Sequence, residues 1–499
     1  MTANADLYKQ LRDSYDEDGF HKGREYIPED AVNKILTRDG IKAELTRKSR
    51  GGINLSGCLA TKVVKHKATR AFAILAYLDQ PWYIKKLLDD GFTDKYLPLL
   101  EKREEEGLRS AVDPTKVFYL VQDWGDRTVH AFVANQWMLL APVFIASREH
   151  KELDYRCPLP FSEVDDRIYA ASHETVIFKA KIHRSHQEGF EAEASSLVVA
   201  LKQFRHMDKF KKERDNLEKI RRLKNNKHMT LSLGSFSQEG RHYLIFPWAE
   251  GGDLDNLWKY GDSRLRTPEL ALWSLQQMSG LAETLLDLHL GFDEKTNCRH
   301  GDLKPQNILH FLTNGEGILK ITDFGISSIH DNSTFERKET PTVERATTPS
   351  YEAPEAAPAL LTKQARSRKY DIWSLGCIFL EFTIWLVGGW EDIESFNEQR
   401  KPKATTDPSR SHFYDIKDGI PGVHLAVNQK IADLKEDRRS NQGTALGELL
   451  DLIEEDLLIV EVDKRLDAGQ LCEKLRNIVQ KAVSDPIYLF NDTSSTAVS

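Results

Sequence analysis

The fold is decided by RHGDLKPQN at residues 299–307 and by DFG at residues 323–325. Asp302 is suited to accept the proton of an attacking hydroxyl, and Asn307, five residues later, can return to the same site as a metal ligand. Asp323 lies sixteen residues after Asn307, which leaves room for one hairpin, and its carboxylate can bridge Mg²⁺ to phosphates. Each residue alone could be an ordinary surface group, but their joint order and spacing predict a phosphoryl-transfer site.

The motifs that follow keep a consistent order along the chain. Residues 348–355 read TPSYEAPE, and residues 371–376 read DIWSLG. Together with the first two motifs, this series resembles the eukaryotic serine/threonine protein kinases over roughly residues 161–487. The resemblance implies an α+β, two-lobed protein-kinase fold, with a small β-rich N-lobe and a large helical C-lobe, preceded by a mainly helical N-terminal domain. In this organisation the chain is also loosely similar to kinases of filamentous fungi.

The resemblance implies an ATP site whose hinge is the stretch YLIFPWAEGGDL at residues 243–254. Lys202, in VALK at residues 199–202, would hold the α- and β-phosphates and pair with Glu213 on the helix that follows. The gap of eleven residues between them is short for the family, so Glu218 is a weaker alternative. The other expected nucleotide contacts are Val176, Ala200 and Leu309 around the adenine ring, Phe246 behind it, the backbone of Pro247 and Ala249 at its edge, and Asp253 at the ribose.

The resemblance also implies the catalytic groups, which are Asp302, Lys304, Asn307 and Thr348, with Asn307 and Asp323 as ligands of Mg²⁺. Lys304 stands two residues after Asp302, where it can neutralise the transferring phosphoryl group, and Thr348 can hydrogen-bond both residues. This combination indicates specificity for serine and threonine hydroxyls of protein substrates. Late in the domain, Arg465 is expected to pair with Glu355.

The expected glycine-rich loop over the phosphates contains no glycine. Aligning Val176 with the valine that follows the loop puts Tyr169, Ala171 and Glu174 at the three glycine positions, and no glycine occurs at residues 161–188. Glycines there let the backbone approach the phosphates, whereas these side chains hold it away and Glu174 adds like-charge repulsion. The altered loop therefore predicts weak phosphate binding.

Two alternatives to an active protein kinase stay open. A pseudokinase that serves as a nucleotide-gated scaffold is favoured by the altered loop and opposed by the intact Lys202, Asp302 and Asp323. A small-molecule phosphotransferase shares the sequence His-Gly-Asp at residues 300–302. That class generally carries His at the position of Lys304 and lacks the APE segment, so it is the less favoured alternative.

Gly301 takes the place of the arginine that usually precedes the catalytic Asp in this family, so the chain is expected to be a non-RD kinase. In the family that arginine clamps a phosphorylated residue of the activation loop. The candidate phosphorylation sites of the loop are Ser333, Thr334, Thr340 and Thr342. We therefore expect activity without loop phosphorylation, and control by residues 1–160 or by a regulatory partner bound there.

Residues 1–160 are predicted to form a mainly helical N-terminal domain of unknown function. A kinase domain at residues 161–490 and a disordered tail at residues 491–499 are expected to follow it. Within the N-terminal domain, one helix is predicted between Pro81 and Gly91, because proline favours the first turn of a helix and glycine its end.

The composition is that of a globular intracellular protein. The 499 residues carry a net charge of −8, which argues against bulk nucleic-acid binding, and 40% of them are hydrophobic. The five cysteines form no CxxC pair and indicate reduced thiols in the cytoplasm or nucleus. The apolar stretch at residues 372–390 approaches the length of a membrane span. DIWSLG at its start instead predicts the buried central helix of the domain, and no membrane partner is expected.

Overall fold

The chain divides into two compact units, which are described separately. The first contains residues 1–207 and 232–247, and the second contains residues 208–231 and 248–499. The predicted domain boundary at residue 160 falls inside the first unit, and the predicted tail lies outside the described residues. The computed structural model describes residues 6–48, 53–101, 107–146, 149–165, 170–171, 175–190, 196–223, 227–261, 266–291, 296–312, 316–324, 328–331, 349–357, 367–401 and 411–489.

The N-terminal region of the first unit is mainly helical, as predicted, and surrounds its own apolar core. Its helices are α1 (Leu7–Arg12), α2 (Glu29–Ile35), α3 (Arg38–Arg47), α4 (Ile53–Lys65), α5 (Thr69–Tyr77), α6 (Ile84–Asp89) and α7 (Asp126–Asn135). Its short strands are β1 (Asp16–Glu17), β2 (Glu25–Tyr26), β3 (Leu99–Glu101), β4 (Leu108–Ser110) and β5 (Val117–Phe118). Pro81 opens a 3-10 turn rather than an α-helix, so the helix predicted between Pro81 and Gly91 begins only at Ile84.

A seven-stranded sheet completes the first unit. The remaining strands are β6 (Phe144–Ile145), β7 (His150–Leu153), β8 (Phe161–Val164), β9 (Ala170–Ala171), β10 (Thr175–Ile182), β11 (Gln187–Glu188), β12 (Leu197–Phe204), β13 (Gly234–Gln238) and β14 (Arg241–Pro247). The strand order is β7-β13-β14-β12-β10-β8, with β9 also paired to β10, while β6 and β11 pair separately. The longest of these pairings is the antiparallel pair β10–β12, in which Thr175 lies opposite Phe204 and Ile182 opposite Leu197.

One face of this sheet is apolar, because successive strand residues alternate between the two faces. Its buried residues include Phe161, Ala180, Ile182, Val199, Leu201 and Tyr243. The ring of Phe20, from the N-terminal region, packs against Tyr243 and Phe178 with centroid distances of 5.6 and 5.9 Å. The N-terminal region therefore contributes directly to the core of the sheet.

Asp18 connects the N-terminal region to the segment that leads into the sheet. Its side chain is fully buried, and its Oδ2 accepts a hydrogen bond of 2.9 Å from the backbone N–H of Leu159, just before β8. The same oxygen lies 2.8 Å from Nδ1 of His21, and Oδ1 accepts the backbone N–H of Phe20 at 2.8 Å. One carboxylate thus satisfies donors from both segments.

Replacing Asp18 with alanine is expected to lower the free energy of unfolding of the first unit by about 2–3 kcal/mol, because buried N–H groups lose their acceptors. Asp13→Ala removes an exposed carboxylate that contacts its neighbour Arg12, and it should cost less than about 0.5 kcal/mol. Urea unfolding of the full-length variants measures both values. Equal losses for the two variants would contradict this role of Asp18.

The second unit is mainly helical. Its helices are α8 (Met207–Ile220), α9 (Leu254–Tyr260), α10 (Pro268–Leu290), α11 (Lys369–Gly388), α12 (Trp390–Gln399), α13 (Leu425–Glu436), α14 (Ala445–Leu452), α15 (Ala468–Ser484) and α16 (Pro486–Leu489). Its strands are β15 (Thr296–Arg299), β16 (Ile308–Phe311), β17 (Ile318–Ile321), β18 (Ser328–Asp331), β19 (Tyr414–Lys417) and β20 (Ile420–Val423). They form the antiparallel pairs β15–β18, β16–β17 and β19–β20. The pair β16–β17 is the hairpin predicted between Asn307 and Asp323.

The helix α11 is long and apolar enough to cross a membrane by length and composition, but 89% of its most apolar window is buried inside the fold. Residues 370–386 are all buried. A helix that is apolar on every side is stable in water only when neighbouring elements surround it. This burial matches the predicted central helix of the domain.

Candidate active site

Strands β10, β12 and β14 carry five predicted site residues of the first unit, but not all on one face: Val176, Ala200, Lys202, Phe246 and Pro247. Lys202 and Ala200 are two residues apart and share a face of β12, and Phe246 of β14 is the direct partner of Ala200. Val176 pairs with Gln203, so it lies on the opposite, apolar face, and its neighbour Ile177 is the partner of Lys202. The structure therefore does not bring Val176 together with Ala200, and Ile177 is a candidate that sequence reasoning missed.

This difference has a simple physical cause. A shift of one residue in a strand moves every side chain to the other face. Which face each residue of β10 shares with β12 depends on their hydrogen-bonded register, and the sequence of the connecting residues 183–196 does not reveal that register. Taking Ile177 as the reference instead puts Ala170, Ser172 and Thr175 at the three glycine positions, so the loop still lacks glycine.

The helix α8 favours Glu213 over Glu218 as the acidic residue of the site. Phe210, Leu217 and Ile220 form its buried face, and Glu213 lies on that face with 2% of its surface exposed. The side chain of Glu218 is 55% exposed and lies near Arg221. Of these two glutamates, only Glu213 is shielded from water, and an ion pair is stronger where water is excluded.

The loop at residues 300–307, which carries Asp302 (the catalytic loop), is held in place by the side chain of Asp371. Asp371 is not among the predicted site residues. This carboxylate is fully buried in the first turn of α11 and accepts the backbone N–H groups of His300 and Gly301, each at 2.9 Å. His289 places its Nε2 2.9 Å from the same carboxylate. Burial alone would raise the pKa of Asp371, but its contacts with His289 and the loop hold that pKa below its ordinary value. The carboxylate thus stays ionised and fixes the loop backbone.

Gly301 has a φ of +85°, a conformation that residues with a side chain rarely adopt. The glycine that replaces the family's usual arginine is therefore suited to the backbone of this loop. His300 beside it is completely buried, and its Nε2 lies 3.0 Å from the carbonyl oxygen of Thr322. This contact connects the catalytic loop to the segment that carries Asp323.

Asp302, Lys304 and Asn307 form a compact polar group, as the sequence predicts. Nζ of Lys304 lies 2.9 Å from Oδ2 of Asp302. The side-chain amide of Asn307 donates to the backbone oxygen of Asp302 at 2.8 Å and to its Oδ2 at 3.1 Å. Asp302 and Asn307 are each 7% exposed, so these contacts hold both side chains in one orientation. The group is suited to hold a hydroxyl and to take its proton.

The hairpin β16–β17 brings Asn307 and Asp323 close in space. Ile308 pairs with Ile321, and the backbone N–H of Thr322 donates to the carbonyl oxygen of Asn307 at 2.9 Å. Asp323 follows at once with a φ of +63°, a strained conformation for a residue other than glycine. Its neighbour Phe324 is held on both sides, since its carbonyl accepts the side-chain amide of Asn216 and its ring contacts His300.

The pair Asn307 and Asp323 provides only part of a site for a divalent metal. Asn307 and Asp323 supply oxygen ligands, the type that Mg²⁺ prefers. Among the described residues, no group of three or more His, Cys, Asp or Glu side chains is arranged to hold a metal ion. The remaining ligands would therefore come from phosphate oxygens and water.

The predicted adenine contacts of the second unit lie on adjoining backbone segments. Asp253 and Leu309 form an isolated antiparallel bridge, and Ala249 is 8% exposed. The carboxylate of Asp253 caps α9, because its Oδ1 accepts the backbone and side-chain N–H groups of Asn256, each at 2.8 Å. Burial raises the pKa of Asp253. Its predicted contact with a ribose would use a carboxylate that is already a helix cap.

Two further connections stabilise the described part of the TPSYEAPE motif, residues 349–355. Arg465, 1% exposed, forms a bidentate pair with Glu355 at 2.9 and 3.1 Å, which confirms the predicted pairing. Glu381 is fully buried and contacts Arg400 at 3.1 Å and the hydroxyl of Tyr351 at 2.8 Å. Burial raises the pKa of Glu381 to about 7, although Arg400 opposes this shift. Thr348 lies outside the described residues.

A carboxylate held by a lysine and an asparagine, next to a second aspartate at the end of a hairpin, defines a phosphotransferase site of the protein-kinase type. The comparison with known families agrees. The family described as "Protein kinase domain" matches residues 189–474, more than half of the chain, and the chain belongs to this family.

Several named kinases are similar to parts of the chain. The calcium/calmodulin-dependent protein kinase cmkA of Emericella nidulans is 28% identical over 211 residues, which are 42% of this chain and 45% of that protein. The serine/threonine-protein kinase nekl-2 of Caenorhabditis elegans is 26% identical over 282 residues, 53% of this chain and 71% of that protein. The serine/threonine-protein kinase Nek5 of Homo sapiens is 31% identical over 172 residues, 34% of this chain and 21% of that protein. The chain thus spans less than half of the first and third of these relatives.

Proposed function

We propose that the protein transfers the γ-phosphate of ATP to serine and threonine hydroxyls of protein substrates, with Mg²⁺ as the metal. The observation that carries the proposal is the buried group of Asp302, Lys304 and Asn307. Membership of the protein kinase family and the names of the similar serine/threonine kinases support it. The likeness to kinases of filamentous fungi stays a prediction.

The residues of this group have distinct tasks in the proposed reaction. Asp302 accepts the proton of the substrate hydroxyl as it attacks the γ-phosphorus, and Lys304 offsets the negative charge of the phosphoryl group in transfer. Asn307 and Asp323 would hold Mg²⁺, which supplies charge neutralisation at the phosphates when bound. Lys202 would hold the α- and β-phosphates. The bond to the hydroxyl oxygen forms, the bond to the β-phosphate oxygen breaks, and ADP leaves.

A transfer assay tests this proposal. The purified full-length chain is incubated with ATP labelled in the γ-phosphate, Mg²⁺ and a generic basic protein, and the labelled amino acids are then separated. We expect labelled phosphoserine and phosphothreonine. We also expect a chelator of Mg²⁺ to abolish the signal, because Asn307 and Asp323 cannot take over the role of the metal at the phosphates. Labelled phosphotyrosine alone would overturn the serine/threonine assignment.

The second candidate function is a nucleotide-binding scaffold without transfer activity, favoured by the phosphate loop. Ala170 pairs with Ile177 in a short strand, and with Ile177 as the reference it stands where the family has its first glycine. A residue other than glycine keeps the backbone away from phosphates. Affinity for the nucleotide would then come mainly from the adenine side.

We therefore expect ATP to bind little better than adenosine, within about threefold in Kd, since phosphate contacts add little. Calorimetry with Mg²⁺·ATP and with adenosine on the same preparation measures the ratio. An ATP affinity higher by about a hundredfold, equivalent to about 2.7 kcal/mol, would contradict this view of the loop.

We further propose an intracellular location. Cys157, Cys298, Cys377 and Cys472 are buried thiols and Cys58 is an exposed one, and none of the five forms a disulfide. Regulation by a partner at the N-terminal region also stays a proposal. It is supported by Gly301, which cannot clamp a phosphorylated loop residue through a side chain.

A further inference from the structure

A cavity of about 760 Å³ lies in the second unit beside Lys304, and the proposed reaction does not account for most of its wall. Ser350 and Tyr351, from the TPSYEAPE motif at residues 348–355, line it together with Trp390 and Glu394 of α12. Its position next to the catalytic lysine makes it accessible to the chain of a protein substrate whose hydroxyl lies at Asp302.

The cations of this wall already have acidic partners. Lys304 is paired with Asp302, and Lys401 is paired with Glu398 one turn away on the chain. Arg400 is 2% exposed and is paired with Glu381, while its guanidinium lies 4.2 and 3.8 Å from the ring centroids of Phe396 and Phe413. Glu381 is therefore neutralised from within the fold and is not offered to a substrate.

Two acids of the wall have no ion pair of this kind within the described part of the chain. Among the described residues, neither Asp255, in the first turn of α9, nor Glu394, in α12, forms an ion pair. Burial, and then the charge of Asp253, raises the pKa of Asp255, while Lys259 lowers it. Asp255 is half-buried, and a carboxylate that has lost part of its hydration gains most from an arriving cation, whereas Glu394 is exposed and contributes its charge.

Two other groups of the wall also suit a cation. Ser411 is 4% exposed, and its hydroxyl has no hydrogen-bond partner among the residues that the structure describes. Its oxygen can accept an N–H group from a ligand. The ring of Trp390 already attracts the ammonium of Lys259, which lies 5.8 Å from its centroid, and aromatic faces favour cations.

We propose that this cavity binds a lysine or arginine side chain of the protein substrate, with Asp255 and Glu394 as the residues that determine this specificity. The proposal rests on the proposed kinase function and names its substrate class. A basic side chain would pair with the two carboxylates, donate to Ser411 and lie against Trp390. An acidic side chain at the same place would meet the negative charges of Asp255 and Glu394.

The test uses synthetic peptides with one serine, in which arginine replaces alanine at each flanking position in turn. For the wild-type chain, we expect one or two positions at which arginine raises kcat/KM by about tenfold, mainly through KM. Glu394→Arg and Asp255→Asn should each remove most of this gain while the rate on the all-alanine peptide stays the same. Glu394→Arg should also improve a peptide with glutamate at the preferred position.

The control is Glu391→Arg, which makes the same charge change at an exposed position of the same helix α12 outside the cavity. It should keep the wild-type arginine preference, and unchanged thermal midpoints should show that all variants are folded. If the wild type phosphorylates arginine and alanine peptides equally, or if Glu391→Arg acts like Glu394→Arg, the cavity proposal is wrong while the kinase function stands. If no peptide or protein is phosphorylated at all, the proposed function itself fails.

Discussion

Asp302→Asn is expected to lower kcat about a thousandfold, because an asparagine cannot accept the hydroxyl proton and general bases typically contribute about 10²–10⁴ to the rate. The substitution keeps the size of the side chain, so the buried contacts with Asn307 and the fold should persist. Affinity for ATP should stay at the wild-type value, since Asp302 is not among the expected nucleotide contacts. Steady-state transfer to a serine peptide and calorimetry with ATP measure the two quantities.

The matched control for this variant is Asp463→Asn, which makes the same chemical change at an exposed residue of the second unit. It should keep the wild-type rate. If Asp302→Asn keeps more than about a tenth of the wild-type kcat, Asp302 is not the general base and another group must take the proton. If ATP binding is lost as well, its effect is structural rather than chemical.

Arg465→Met should lower the free energy of unfolding of the second unit by about 3–5 kcal/mol, the usual cost of removing one partner of a buried ion pair. The guanidinium is 1% exposed and pairs with Glu355. It also donates to the backbone oxygens of Ile459, at 2.8 and 2.9 Å, and of Lys369, at 2.8 Å. Methionine fills the volume but leaves these acceptors without donors, so the loss is one of charge and hydrogen bonding.

Lys464→Met is the neighbouring control. Lys464 and Glu461 form an exposed pair at 3.7 Å, with 74% and 64% of their side chains exposed, and its loss should cost less than about 1 kcal/mol. Arg465→Lys should recover only part of the stability, because an ammonium cannot reproduce the bidentate contact. Urea unfolding of the three full-length variants measures these losses in the free energy of unfolding. A loss for Arg465→Met no larger than that for Lys464→Met would refute the structural role of the pair.

Much of the site of the second unit could be predicted because its residues are close in sequence. Asp302, Lys304 and Asn307 lie within one loop, and the hairpin β16–β17 has a length that returns the chain to Asn307. Arg465 and Glu355 are distant along the chain, and only the resemblance to a known family connected them.

Other features depend on side chains that carry no local signal. Asp371 begins an apolar helix, and its task of holding the N–H groups of His300 and Gly301 appears only when α11 packs beneath the loop. Arg400 looks like an ordinary charged residue at the end of a polar helix, yet it is buried against Glu381. Sequence patterns report the periodicity of an element but not which partner reaches it.

The sequence by itself determined the class of fold and the absence of glycine from the phosphate loop, and it supplied the candidate proton acceptor and the candidate metal ligands. Only the tertiary structure decided that Ile177, rather than Val176, shares the face of Lys202, because strand register is set by hydrogen bonds between distant segments. Tertiary contacts also decided that Phe20 and Asp18 of the N-terminal region pack into the sheet of the first unit. Burial and long-range hydrogen bonding arise from the folded arrangement of the whole chain, and no short stretch of residues encodes them.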